Sequence, residues 1–277
     1  MMLKKMMAAL APLLLLLTTS TVWADSTAHL GRGLSFCGEP ADVRQADVFR
    51  AIDQNLVLLA EAKSRVWLTL KRSTRYQALV ERELKKAGVP DDLKYIPLAI
   101  TGLAPEYNSV GRGIWRLREA EAKSLGLRVD RDIDERLDPV ASTAAAAKRL
   151  STLKAAFGSW TTAMAAHMIG DAAIGQAVTE AGGETNYYKL YLPDGLDALP
   201  STVLAGKVIF SNPQAFGYTL ADGRGWPPFS GQRETVKEAT TARALAAKLG
   251  KDYKRFRDAN PHLLSGTIPA GTAVNIP

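Results

Sequence analysis

The sequence predicts a mainly α-helical domain followed by a small β-α-α-β unit, and three observations carry that prediction. Apolar residues recur at helical spacing over most of the chain. Asp, Pro and Gly mark helix starts and stops, and few segments alternate as strands do. After a Pro/Gly-rich stretch at Arg224 to Gly231 the chain changes style, to short strand-like and helix-like pieces.

Taken in order, residues 1–24 read as a cleaved secretory signal. Lys4 and Lys5 form the positive start, Met6 to Leu17 the apolar run, and Val22-Trp23-Ala24 a small-residue cleavage site. The run is shorter than the ~20 residues a membrane span needs, which predicts an exported periplasmic or cell-envelope protein with no membrane span after cleavage. Residues 25–70 read as a leader and an N-terminal helix. Asp25 to Pro40 has no clear period, so a loose leader is expected. Asp47 to Leu70 carries Phe49, Ile52, Leu56, Leu59, Val66 and Leu70 at helical spacing, an amphipathic helix expected to pack on the outside of the main domain.

Residues 71–222 form that domain. Leu79, Val80 and Leu84 face one way before Gly88, and Pro90 with Asp91 and Asp92 favours a new helix start. Asp138-Pro139 opens an alanine-rich helix to Phe157, and Trp160 to Ile174 reads as one further buried helix. Residues 223–232 read as a linker. In residues 233–277, strands are expected at Glu234 to Lys237 and Ala273 to Ile276, with helices at Thr241 to Leu249 and Tyr253 to Ala259. About 45 residues hold little core without a neighbour.

Composition excludes several function classes. The single cysteine, Cys37, rules out an internal disulfide. Removing Lys4 and Lys5 from the 35 basic residues leaves 33 against 28 acidic ones, a net charge of about +5. The basic residues are interleaved with acids, a pattern that suits an anionic cell wall better than nucleic acid. Asp130, Asp132 and Asp134 alternate as in a calcium loop, but Glu135 stands where the glycine should be and Ala141 where the bidentate glutamate should be, so a structural turn is expected and no metal. His29, His167 and His262 are scattered, no glycine-rich phosphate loop is present, and no cofactor is implied.

Two stretches carry a family resemblance. Asp134-Glu135-Arg136-Leu137-Asp138-Pro139, the alanine-rich run and Phe157-Gly158-Ser159-Trp160 resemble the middle of the lytic transglycosylase family, of the soluble lytic transglycosylase-like, lysozyme-fold type. Gly88-Val89-Pro90 with Tyr95-Ile96-Pro97-Leu98, then Gly113-Ile114-Trp115, then Leu199-Pro200-Ser201-Thr202 are similar to further family segments in the same order. The tail is similar to a LysM module, a glycan-binding β-α-α-β unit. Ala259-Asn260-Pro261-His262, Ile268-Pro269-Ala270-Gly271 and Asn275-Ile276-Pro277 carry that likeness, and Asn260 and Pro261 are its implied glycan contacts. Glu238-Ala239-Thr240 stands where the module usually has Gly-Asp-Thr.

The resemblance implies cleavage of the β-1,4 bond after N-acetylmuramic acid by one carboxylic acid, with the sugar's own 6-hydroxyl attacking to leave an anhydro end. Such an acid sits in a partly apolar cleft that raises its pKa toward the working pH. The family's glutamate-serine pair falls at Ile100-Thr101 here, and a branched alkyl chain neither donates nor accepts a proton. The glutamine after the family tryptophan is Arg116, the spacing from Ser109 to Gly113 is short by about two residues on the family pattern, and the alanine-tyrosine-asparagine motif reads Ala166-His167-Met168. Glu106 is the fallback acid. His167 and Asp171, at i and i+4, are candidates for a pair on one helix face, most simply an ordinary surface pair. Trp115, Ser109, His167, Tyr187 and Tyr188 are the expected substrate contacts, the aromatic ones through sugar stacking or as core. The expectation is a peptidoglycan-binding, catalytically inactive homologue that acts as envelope scaffold or regulator, with other cell-wall proteins as possible partners. The rivals are an active enzyme using Glu106 and a protein-interaction platform in an envelope or secretion complex.

Overall fold

The structure, a computed structural model, describes residues 30, 33–105, 111–193, 195–196, 198–221 and 224–277. The expected signal, Glu106 and Ser109 lie outside them. Among the described residues the architecture is mainly α, and no helix is long and apolar enough to cross a membrane.

The chain enters through a hairpin where a loose leader was expected. β1 (Ser35–Phe36) and β2 (Glu39–Pro40) pair antiparallel around Cys37 and Gly38, both at positive φ (54° and 81°), the geometry that matches strand twist in a two-residue turn. Phe36 is fully buried. The Glu39 carboxylate accepts from the Trp160 and Thr161 backbone N–H groups (2.7 and 3.0 Å), which have no partner within their own helix.

The expected helix over 47–70 is two. α1 (Ala46–Glu61) ends at Ala62, and α2 (Lys63–Lys86) runs on through the expected domain boundary. No Pro or Gly interrupts 63–86, so the helix continues through the mostly half-buried polar run Lys71 to Thr74. Nor does α1 lie outside the domain. Val48, Ile52, Leu56, Leu59 and Ala60 are buried in the main core, while Phe49 is only half-buried. The partner of α1 is α8 (Ala198–Ser211). The same α8 packs on α3 (Tyr95–Ile100), where a Cβ on Gly206 would stand 2.5 Å from Ala99 Cβ. That close approach fixes the helix ending at Ile100.

After α4 (Glu119–Ser124), Asp138 caps α5 (Pro139–Phe157) by accepting from Val140 N–H at 2.9 Å, with Pro139 in the first turn and Gly158 (φ 77°) at the stop. The single helix expected over 160–174 is divided. α6 (Trp160–Ile169) and α7 (Asp171–Glu180) meet at Gly170, whose φ of 122° a side chain would rarely adopt.

Residues 224–231 are a strap on α2. Trp226 and Phe229 N–H groups donate to the Lys71 and Arg75 carbonyls (3.3 and 3.0 Å), and the Phe229 ring packs 5.9 Å from Tyr76. The tail then runs β3 (Arg233–Thr235), β4 (Thr240–Thr241), α9 (Ala242–Lys248), α10 (Tyr253–Ala259), β5 (Thr267–Ile268) and β6 (Ala273–Asn275). β3 pairs antiparallel with β6, and β4 with β5. Its core of Val236, Leu245, Phe256, Ile268 and Val274 is completed by Ile133 of the main domain, the help so small a unit needs.

Docking is held by backbone as well as by Ile133. Asp134 N–H donates to the His262 carbonyl (2.9 Å), and Leu264 N–H to the Asp132 carbonyl (2.8 Å). The Asp134 carboxylate, 1% exposed, receives Arg136 Nε and one Arg136 terminal nitrogen at 2.8 Å and Arg112 at 3.1 Å. Asp134→Asn is expected to cost about 3 kcal/mol of unfolding free energy in urea, because it leaves a buried guanidinium uncompensated.

Candidate functional site

Four segments of the chain meet at one small cavity. Ile96 and Ile100 come from α3, Ile114, Trp115, Arg116 and Arg118 from the loop before and into α4, His167 and Met168 from α6, and Leu199 from α8. These are pieces of the motifs that sequence reading singled out separately. The free space is about 20 Å³, room for about one water.

Ile100 ends α3, and its position is set from behind. Arg65 of α2 donates to the Ala99 and Ile100 carbonyls (2.6 and 2.9 Å), satisfying the helix C-terminus with a cation. Thr101 is buried, its Oγ1 2.9 Å from the Ile114 carbonyl and 3.0 Å from that of Pro97. Thr101 therefore stitches α3 to the tryptophan turn.

That turn is built by its glycines. Arg112 and Leu117 bridge antiparallel, and Arg116 N–H closes on the Gly113 carbonyl at 3.1 Å. A Cβ on Gly113 (φ 75°) would lie 1.8 Å from the Arg136 carbonyl, and one on Gly111 2.1 Å from that of Arg116. Only residues without a side chain let this turn lie against the 3₁₀ turn Glu135–Leu137. Arg116 itself sits at φ 51°, a strained conformation for a side-chain-bearing residue.

Trp115 is 2% exposed, and its indole N–H donates to Thr143 Oγ1 of α5 at 2.9 Å. It forms the cavity floor with only an edge showing. His167 packs edge-on against it, ring centroids 6.3 Å apart. The expected His167–Asp171 pair does not form, on a surface or elsewhere. Gly170 separates their helices, Asp171 pairs with Arg149 (2.5 Å), and His167 is 7% exposed with its Nδ1 lacking a partner. Burial and the nearby Arg149 push the His167 pKa down to about 3, against the pull of the Trp115 backbone, so the ring is neutral.

Among the described residues, none that lines the cavity is a carboxylic acid, and two are arginines. Arg118 lies against Gly170, donates to the Ile169 carbonyl at 3.2 Å, and also lines a larger groove of about 720 Å³ whose other charged residues are of both signs, among them Lys123, Arg131, Glu119 and Asp130. Sequence reading noted Arg116 only as a lost glutamine and passed over Arg118. The Arg-x-Arg spacing after the tryptophan was the available signal.

Two of the expected aromatic contacts, Tyr187 and Tyr188, lie elsewhere. Tyr187 and Tyr188 stack edge-to-face at 5.3 Å and line a separate cavity of about 290 Å³ with Asp47, Arg50 and Gln54 of α1. The packing of α1 into the core, which sequence reading did not foresee, creates that cavity. Asn260 is not a surface contact but a clamp inside the tail. It is fully buried, its Nδ2 donates to the Phe256 and Asn275 carbonyls (both 2.8 Å), and its Oδ1 accepts from Asn275 N–H (2.6 Å). Pro261 is half-buried beside it. Asp130 accepts from Arg128 and from the Ile133 and Asp132 N–H groups, with its pKa held near about 2 by the first two above all, and Asp134 is engaged as above. Among the described residues no group of His, Cys, Asp and Glu is arranged to hold a metal ion.

Residues 95–189 match the model of the Transglycosylase SLT domain, a span that begins at α3 and takes in every cavity residue except Leu199. The chain is lytic transglycosylase-like. Among curated proteins, it is 28% identical over 155 residues to membrane-bound lytic murein transglycosylase D of Escherichia coli K12, covering 54% of this chain and 34% of that protein. The same protein of Escherichia coli O6:H1 matches equally. The chain thus spans about a third of the length of the curated relatives it matches.

In this transglycosylase-like domain the neutral, buried His167 has a thermodynamic signature. The unfolded histidine protonates near pH 6.5, whereas the folded ring stays neutral down to about 3. Below pH 6.5 the unfolded chain binds the extra proton, so His167 makes stability fall as pH drops, by up to about 1.4 kcal/mol per unit. Urea unfolding at pH 7.5, 6 and 5 is expected to show a shallower acid slope in His167→Gln than in the parent.

Proposed function

We propose that this protein binds peptidoglycan in the cell envelope and does not cleave it: an inactive lytic transglycosylase homologue that acts as a scaffold or regulator of other wall proteins. The observation that carries this reading is the Ile100 cavity. General acid catalysis needs a titratable oxygen within ~3 Å of the scissile bond, and among the described residues the side chains there are alkyl, thioether, aromatic, imidazole and guanidinium. Cation and chemistry point the same way, since two guanidiniums beside an acid would lower its pKa and hold it ionised at neutral pH.

The substrate class comes from the matched relatives, whose name states that they act on murein. A LysM-like tail supports the same assignment. Its strand and helix order is that of a β-α-α-β unit, and a cavity of about 350 Å³ opens beside Val236 to Thr240, at its first loop. Asn260 is buried inside the tail and the His262 carbonyl is taken by the main domain, so glycan contact is assigned to that first loop. Export follows from residues 1–24 read as a cleaved signal.

Co-sedimentation with purified sacculi tests the reading. The protein is expected in the pellet at physiological salt, and recovery in the supernatant at all protein-to-wall ratios contradicts it. Ile100→Glu is expected to restore no more than trace release of soluble fragments, because Arg116 and His167 still surround the new acid.

A further inference from the structure

We infer that the Ile100 cavity is a carboxylate site, and that it selects glycan whose N-acetylmuramic acid carries a free lactyl carboxylate, that is, glycan already stripped of its peptide. The inference rests on the peptidoglycan reading above and deepens it by naming the form of glycan recognised.

The first observation is uncompensated charge. Arg136 and Arg112 pair with Asp134, Lys123 with Glu119, and Arg149 with Glu121 and Asp171. Among the described residues, Arg116 and Arg118 have no acid partner, and both line the cavity. Arg116 Nε is buried without a hydrogen-bond partner. Leaving a buried donor unpaired costs about 1–3 kcal/mol, more when it is charged, and Arg116 is held in this position by a strained backbone. A guanidinium so placed is matched by a carboxylate, which takes two parallel N–H donors.

The second observation is the rest of the wall. His167 Nδ1 is a further buried polar atom without a partner, on a side chain 7% exposed. As a neutral imidazole nitrogen it complements a hydroxyl in either tautomer. Ile96, Ile100 and Leu199 offer apolar contact for a methyl group. The free space of about 20 Å³ admits one carboxylate oxygen, about the size of a water, while the methyl group and the pyranose ring stay at the mouth. A lactyl ether on a sugar supplies this arrangement: a carboxylate directed at the arginines, with its methyl and the ring hydroxyls at the rim.

In intact peptidoglycan that carboxylate is consumed in an amide bond to the stem peptide. The amide has no negative charge to match Arg116 and Arg118. The preferred ligand must therefore come from a reaction that hydrolyses the amide between the lactyl group and the peptide.

The test is isothermal titration of the purified protein with three monosaccharides: N-acetylmuramic acid, its neutral methyl amide, and N-acetylglucosamine, which lacks the lactyl group. N-acetylmuramic acid is expected to bind at least about tenfold tighter than either of the others, the scale of one charge-assisted pair. Arg116→Gln and Arg118→Gln, each checked by thermal melting, are expected to erase that preference, so that N-acetylmuramic acid binds each variant no tighter than its neutral methyl amide does. Equal affinities for the three sugars, or no binding of any of them, overturn the inference. So does tighter binding of a short acidic peptide than of N-acetylmuramic acid, which would assign the cavity to a protein partner. Retention on sacculi without the carboxylate preference sinks this inference and leaves the peptidoglycan reading standing, whereas loss of retention sinks that reading.

Discussion

The buried carboxylate of Asp134 is where three parts of the molecule are joined. Its oxygens take Arg136 from the following turn and Arg112 from the strand leading into the tryptophan loop, and its backbone N–H holds the tail through His262. Burial alone would raise its pKa, but the two guanidiniums outweigh it and keep the group ionised. Because Arg112 pairs with Leu117 across the turn, the same ion cluster sets where Trp115 and Arg116 stand relative to Ile100. The cavity and the docked tail thus share one electrostatic support.

The cavity gathers the segments that resemble the family motifs, and among the described residues no carboxylic acid lines it. The helix ending, the glycine turn, the tryptophan on Thr143 and the late leucine still converge. What fills the convergence point is an alkyl chain flanked by cations and a neutral imidazole. An acid placed there would meet two guanidiniums favouring its charged form, the reverse of what a general acid needs. On the proposed reading, the difference from the family motif is one of environment as well as of one residue.

Much of this was legible in the sequence for physical reasons. Asp138-Pro139 and Gly158 are strong helix punctuation, and α5 begins and ends where they predict. The resemblance implies that Ile100, Trp115 and His167 share one site, and they line one cavity. Three features were not legible. The break at Ala62 has no Pro or Gly to announce it, and the half-buried polar run after Leu70 looked like a boundary. Gly170 could have been tolerated inside a helix, and its φ of 122° is set by tertiary packing beside Arg118. The burial of α1 against α8, which brings α1 into the lining of the cavity at Tyr187 and Tyr188, is a long-range contact that periodicity alone cannot place.

The central claim, that this groove holds glycan without cutting it, is tested most directly by mass spectrometry of sacculi after prolonged incubation with the purified protein. No 1,6-anhydro muropeptides above a protein-free control are expected. Anhydro ends that accumulate with the parent protein and vanish with Glu106→Gln would contradict the account and make the protein a working transglycosylase with a relocated acid.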